Sequence, residues 1–432
     1  MKTLNKQKPF YLFLILWIGA LINTIGSGLT TFVLTVSIYQ ETHSTFLMSL
    51  VAIIGLFPRI ICSPLAGALV DQYDRRLLLI LGDGFSGLGV ILIYFQLKSH
   101  SPVSQHLFLV LLGLTISAIF SSMTVPALKA SISDILTQDQ YAQAASMLQI
   151  NDSATYLISP ILASFLLRYM PLTQILLIDC LTIIVTLICT YLVKVSIRSH
   201  HTIETHSINT WFYLKEGNRY LKNHPNVLLL IVYLSLITFF IGFIQVLITP
   251  VLIDMAGPQV YGTVLTIAAS GMLVFGIYIS IRPIQKHYLK IVFISLIFAG
   301  PMIMLIGMIN HIVIITCFAF LLFGSLVFTN VSLDYLIRVN VSNEYLGRVL
   351  GWAFNISQFA YLLSYISAGL LADHYFNPLL VNNGPLASSI GKIFGTGPSR
   401  GTALLISLAG ILLILATIIG TQNKRLTTLK EQ

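Results

Sequence analysis

Charge is what this chain lacks most. Of its 432 residues only 9% are Asp, Glu, Lys or Arg, against 56% hydrophobic, whereas a soluble domain carries roughly a quarter charged residues. So small a polar complement cannot cover a water-facing surface, which excludes an ordinary soluble enzyme or binding module. Cysteine is sparse as well. Cys62, Cys180, Cys189 and Cys317 all fall within apolar runs and show no C-x-x-C spacing, so small buried hydrophobes are expected rather than a zinc or redox site. The ten histidines stand mostly in connections or at the ends of apolar runs, His200 beside His201. Neither a metal-spaced cluster nor a Ser/His/Asp set emerges, so the sequence predicts no catalytic residue, no metal and no bound cofactor.

What is present is apolar runs of about twenty residues, the length a helix needs to cross a hydrocarbon layer of ~30 Å. They fall near residues 10–39, 46–70, 77–97, 106–127, 143–167, 172–194, 226–253, 260–281, 290–308, 312–336, 348–372 and 402–421. The first follows Lys2, Lys6 and Lys8 but outruns the roughly 7–15 apolar residues of a signal peptide, and so reads as a retained helix. The expected fold is an all-α integral membrane protein of twelve transmembrane helices.

The formal net charge of +9 does not point to nucleic acid, because the basic residues are strung between spans rather than gathered on one face. With a cytoplasmic N-terminus, only Lys98, Arg168, Lys392 and Arg400 fall in outer segments and Arg59 lies within a span. Every other lysine and arginine is inner. The positive-inside rule therefore places both termini in the cytoplasm of a multi-pass bacterial cell-membrane protein. The longest inner connection divides the spans six and six, giving an N-terminal bundle (1–194), a linker (195–225) and a C-terminal bundle (226–432). Within the linker Lys215, Arg219 and Lys222 share one helical face and Leu214 and Leu221 another. That is the pattern of a basic helix on anionic lipid at the inner surface, with a plain tether as the alternative. Thr137 to Tyr141 before the fifth span and Ser342 to Tyr345 before the eleventh are a weak internal echo, each offering a capping hydroxyl and an acid to a helix start.

The connection between spans two and three reads Gly67-Ala68-Leu69-Val70-Asp71-Gln72-Tyr73-Asp74-Arg75-Arg76. It resembles the signature loop of the major facilitator superfamily, G-x-x-x-D-(R/K)-x-G-(R/K)-(R/K), with Gly67, Asp71, Arg75 and Arg76 matching and Gln72 and Asp74 departing. The Asp74-Arg75-Arg76 variant resembles the macrolide-efflux branch of drug:proton antiporters. So do the stretches Lys215 to Leu221, Glu344 to Val349 and Gly395 to Gly401, in order relative to spans seven, eleven and twelve. The resemblance implies two six-helix bundles with a solute site at their interface and alternating access driven by the proton gradient. It makes Gly67, Asp71, Arg75 and Arg76 a conformational latch. Gly67 would admit a neighbouring helix, Asp71 would face a helix N-terminus, and the arginines would hold the loop at the inner surface. The antiporters' G-P-x-x-G-G stretch in span five is eroded here to Ser159-Pro160-Ile161-Leu162-Ala163-Ser164, a departure from the antiporter pattern. Gly369 to Asp373 imitates the signature loop on the outer side and reads as a turn.

Charged groups at bilayer depth need a partner or a wet cavity. Arg59, ~18 Å of helix from the inner end of span two, and Asp152, at similar depth in span five beside Gln149 and Asn151, are expected to pair, either as a fixed ion pair or as the coupling site. Asp83 in span three is expected to bond locally to the signature loop or span six. Asp334, four residues before Arg338, reads as a helical ion pair, and Asp179 as structural. Asp83 and Asp334 are secondary coupling candidates. Asn23, Gln149, Gln245, Asn330, Asn355 and Gln358 are candidate cavity-lining residues. Together with 25 Phe and 19 Tyr, they suit a small apolar or amphiphilic solute. The leading function is export of a bulky drug, macrolide-like first, by a protein taken as a monomer. Transport of a lipid-like or siderophore-like solute, uptake rather than export, and a non-transporting sensor or immunity protein stay open.

Overall fold

A computed structural model describes residues 4–98, 102–137, 140–196, 210–382 and 384–423. All long regular elements among them are helices, as a chain crossing lipid requires when every backbone N–H and C=O must be satisfied within the helix itself. In order these are α1 (Leu4–Thr42), α2 (Thr45–Gln72), α3 (Arg75–Leu97), α4 (Leu107–Ser121), α5 (Thr124–Ile135), α6 (Tyr141–Leu157), α7 (Ser159–Tyr169), α8 (Leu172–Ser196), α9 (Thr210–Asn223), α10 (Pro225–Ile281), α11 (Tyr288–Met308), α12 (Ile312–Asn340), α13 (Asn343–Leu371), the short α14 (Asn377–Leu380) and α15 (Gly391–Phe394), and α16 (Arg400–Thr421).

Among the described residues nine helices are long and apolar enough to cross a membrane, and ten if the bent pair α6–α7 is one span. The 57-residue α10 is interrupted at Gly257, whose φ of 80° lies in the region that favours glycine, immediately before Pro258. It thus has the length of two crossings, and counting the 29-residue α13, which is outside those nine, brings the order to one consistent with twelve spans.

The chain forms two compact units: residues 1–42 with 50–207, and residues 43–49 with 208–432. The division falls between Ser207 and Ile208, so α9 belongs to the second. In the first unit α3 and α4 approach at paired glycines. A Cβ on Gly89 would sit 2.2 Å from the Gly113 carbonyl, and one on Gly113 would sit 2.7 Å from the Gly89 carbonyl. In the second unit α11 and α16 do the same at Gly300 and Gly410, the close backbone approach that drives helix association in lipid.

Candidate functional site

Within the first unit, α1, α3, α5, α6 and α8 enclose a cavity of about 90 Å³ lined by Asn23, Asp83, Thr124, Lys129, Asn151 and Thr190 among others. Asp83 is buried on α3, where its carboxylate Oδ1 accepts a hydrogen bond from the Asn23 amide at 3.1 Å. The sequence predicts a partner in the signature loop or span six, and the structure corrects this. The partner is on α1, and next to Asp83 the Gly82 position packs so closely on α4 and α5 that a Cβ there would meet Thr124 at 2.8 Å. Asn151 is buried on α6, and its Oδ1, like that of Asn23, accepts no hydrogen bond among the described residues. The cavity therefore offers one acid, two amide oxygens and a lysine. Lys129, exposed, stands at its rim.

The second unit carries a phenol and amide cluster. Tyr361 and Tyr365 of α13 both direct their hydroxyls at Gln245 Oε1 of α10, Tyr365 at 3.1 Å, and the two hydroxyls lie 3.0 Å apart. One turn on, Thr249 Oγ1 and the Tyr261 hydroxyl are 2.9 Å apart. Gln245 is among the cavity-lining candidates that the sequence offers, whereas the two tyrosines are not. Their signal is nevertheless present, two phenols at i and i+4 in one apolar span, each needing a polar partner. Asn355 and Gln358 are half-buried on the same helix.

The Major Facilitator Superfamily profile matches residues 16–365. The chain belongs to the major facilitator superfamily. Macrolide efflux protein A of Streptococcus pyogenes is 24% identical over 379 residues, covering 85% of this chain and 90% of that protein. The enterobactin exporter EntS of Shigella flexneri is 27% identical over 165 residues, 38% of this chain and 40% of that protein. Among solved structures, a point mutant of the nucleoside transporter NupG superposes with a TM-score of 0.69 at 12% identity over 94% of this chain and 99% of that one. A D-xylose-proton symporter gives 0.65 at 13% identity over 94% and 97%. At such identities the structures establish the fold alone. This is a multi-pass transporter of the superfamily, not an enzyme.

The superfamily's signature loop is fastened inside the first unit. Arg75 pairs with Asp134 of α5 and donates to the Ala130 carbonyl at 2.8 Å. Arg76 is buried, and Asp74, standing where the family pattern has glycine, caps α3 by accepting from the Arg76 N–H at 3.0 Å. Arg75 is thus held by α5, and the Arg76 side chain is buried within the first unit. A Cβ on Gly67 would meet no described atom within 4 Å. The side chains of Asp71 and Asp152 lie outside the described residues. The expected Arg59–Asp152 pair therefore also lies outside the described residues; Arg59 and Gln149 are both exposed. In the eroded stretch of span five, the Ser159 hydroxyl donates to the Ile25 carbonyl of α1 at 3.2 Å against Gly28, so the serine ties two helices together.

The remaining carboxylates are engaged elsewhere. Asp334 forms an exposed i,i+4 ion pair with Arg338 at 2.7 Å, and buried Asp179 accepts from Thr30 at 2.5 Å. Asp373, read from sequence as part of a turn, instead caps α2. It accepts from the Ser44 hydroxyl and from the backbone N–H groups of Thr45 and Phe46 at 2.6, 3.0 and 2.9 Å.

Proposed function

We propose that this superfamily member exports a bulky amphiphile, macrolide-like in the first instance, from a bacterial cell by proton antiport, with both termini cytoplasmic and Asp83 carrying the proton. The observation that supports the reading most is the pairing of Asp83 with a neutral amide in a polar cavity. A carboxylate held by an amide rather than a cation can be neutralised without leaving a charge unpaired. Asp334 lacks that freedom, being tied to Arg338, and Asp179, held by the Thr30 hydroxyl, does not line that cavity. The likeness to Macrolide efflux protein A along nine-tenths of that protein supports the solute class. The shorter likeness to the enterobactin exporter favours a siderophore-like solute as the second reading.

A susceptibility panel in an efflux-deficient bacterial host, with and without the gene, tests the reading. Raised tolerance to macrolides that a protonophore abolishes is the expected result. Unchanged tolerance to every amphiphile, with the protein present in the membrane, overturns export.

A further inference from the structure

The two faces of α9 differ sharply. Gly217 and Leu221 are buried, Gly217 so close to Trp352 of α13 that a Cβ would stand 2.7 Å from its ring. On the same side Glu216 pairs with Arg348 at 2.9 Å, and the Tyr220 ring stacks on Tyr345 with centroids 4.8 Å apart. The opposite stripe, Lys215, Asn218, Arg219 and Lys222, is exposed throughout and follows the i, i+3, i+4, i+7 spacing of one helical face. Glu216 is the only acid of α9, and Arg348 engages it. Among the described residues none of the three cations makes an ion pair.

The height of this helix is set at two points. Lys222 is three residues from Pro225, where α10 begins, and the docked face rests on Tyr345 and Arg348 in the opening turns of α13. α10 is long and apolar enough to cross a membrane and α13 is long enough; crossing from those ends would put α9 at headgroup level, where each added lysine or arginine strengthens attachment to an anionic leaflet by about fivefold. A soluble anion would meet one cation at a time. A leaflet presents anions along the whole ~10 Å from 215 to 222.

We propose that α9 is a docking helix for anionic phospholipid headgroups and that its occupancy is relayed to the opening turns of α13 through Glu216–Arg348 and Tyr220–Tyr345. The inference is independent of solute and coupling ion, so it stands or falls apart from the export reading. The test uses the full chain in nanodiscs of phosphatidylcholine alone or with phosphatidylglycerol, both leaflets alike, with hydrogen exchange followed over 210–223 and 343–352. Phosphatidylglycerol is expected to slow exchange several-fold in both segments, and high salt to reverse it. Combining Lys215→Gln, Arg219→Gln and Lys222→Gln should erase the lipid response, with exchange in α3 and α16 unchanged as the control for folding. Lys222→Gln alone should weaken it in part. Glu216→Gln should keep the response of α9 and lose that of 343–352. Identical exchange in the two lipids, a triple variant that still responds, or a response reproduced in phosphatidylcholine by inorganic phosphate overturns lipid docking. A Glu216→Gln protein whose α13 turns still respond overturns the relay.

Discussion

The Ser44 hydroxyl donates to Asp373 Oδ2 at 2.6 Å, joining the first turn of α2 to the end of α13 across more than three hundred residues of chain. The same carboxylate takes the Thr45 and Phe46 N–H groups, two of the donors a helix start leaves without an intrahelical partner. Gly369, one turn earlier, permits the approach, since a Cβ there would stand 2.7 Å from the Phe46 Cα. Residues 43–49 consequently belong to the second compact unit while α2 from Leu50 onward belongs to the first.

Removing this cap should loosen α2 locally. Asp373→Ala is expected to cost about 1 kcal/mol, and amide exchange at 44–49 should quicken by roughly the corresponding fivefold with other spans unchanged. Exchange at 44–49 equal to that of the parent protein would remove the carboxylate from this role.

For Asp83 the decisive substitution is asparagine, which keeps the shape and the acceptor facing Asn23 but carries no proton. Asp83→Asn should leave thermal stability within ~1 kcal/mol, abolish uphill export of the solute that the susceptibility panel identifies, and preserve downhill exchange. Proton-driven export by well-folded Asp83→Asn protein would send the search to Asp152.

In the second unit Gln245 accepts from two phenols, so its loss should outweigh that of either donor. Gln245→Leu removes the acceptor that both hydroxyls share and is expected to cost about 1–3 kcal/mol, whereas Tyr361→Phe leaves Tyr365 in place and costs ~1 kcal/mol. Thermal melts of the purified variants in one detergent check the order, and a reversed ranking would show that the phenols are satisfied elsewhere.

Topology is open to impermeant thiol labelling on intact cells, in a background without the four native cysteines. A cysteine at Ser389 is expected to react and one at Lys430 to be spared, as inner termini require. The opposite pattern would invert the assignment of every connection.

The sequence by itself determined the class of molecule and the order of its spans. Bilayer thickness and the need to satisfy each backbone group inside a helix act on local windows of about twenty residues, so apolar runs can be read one at a time. Even the break inside α10 was legible in the gap between runs ending at 253 and starting at 260, where Gly257 and Pro258 fall. The i,i+4 pair Asp334–Arg338 was legible for the same reason, since both partners share one turn. What only the tertiary structure decided is which polar side chains meet. Asn23 reaches Asp83, Arg75 reaches Asp134, Tyr361 reaches Gln245, and Asp373 caps a helix instead of closing a turn. Each of these pairings depends on the rotation of a helix about its own axis and on its vertical offset from a neighbour. Both are set by packing at small residues such as Gly82, Gly89 and Gly369, not by the hydrophobicity that places a span in the membrane.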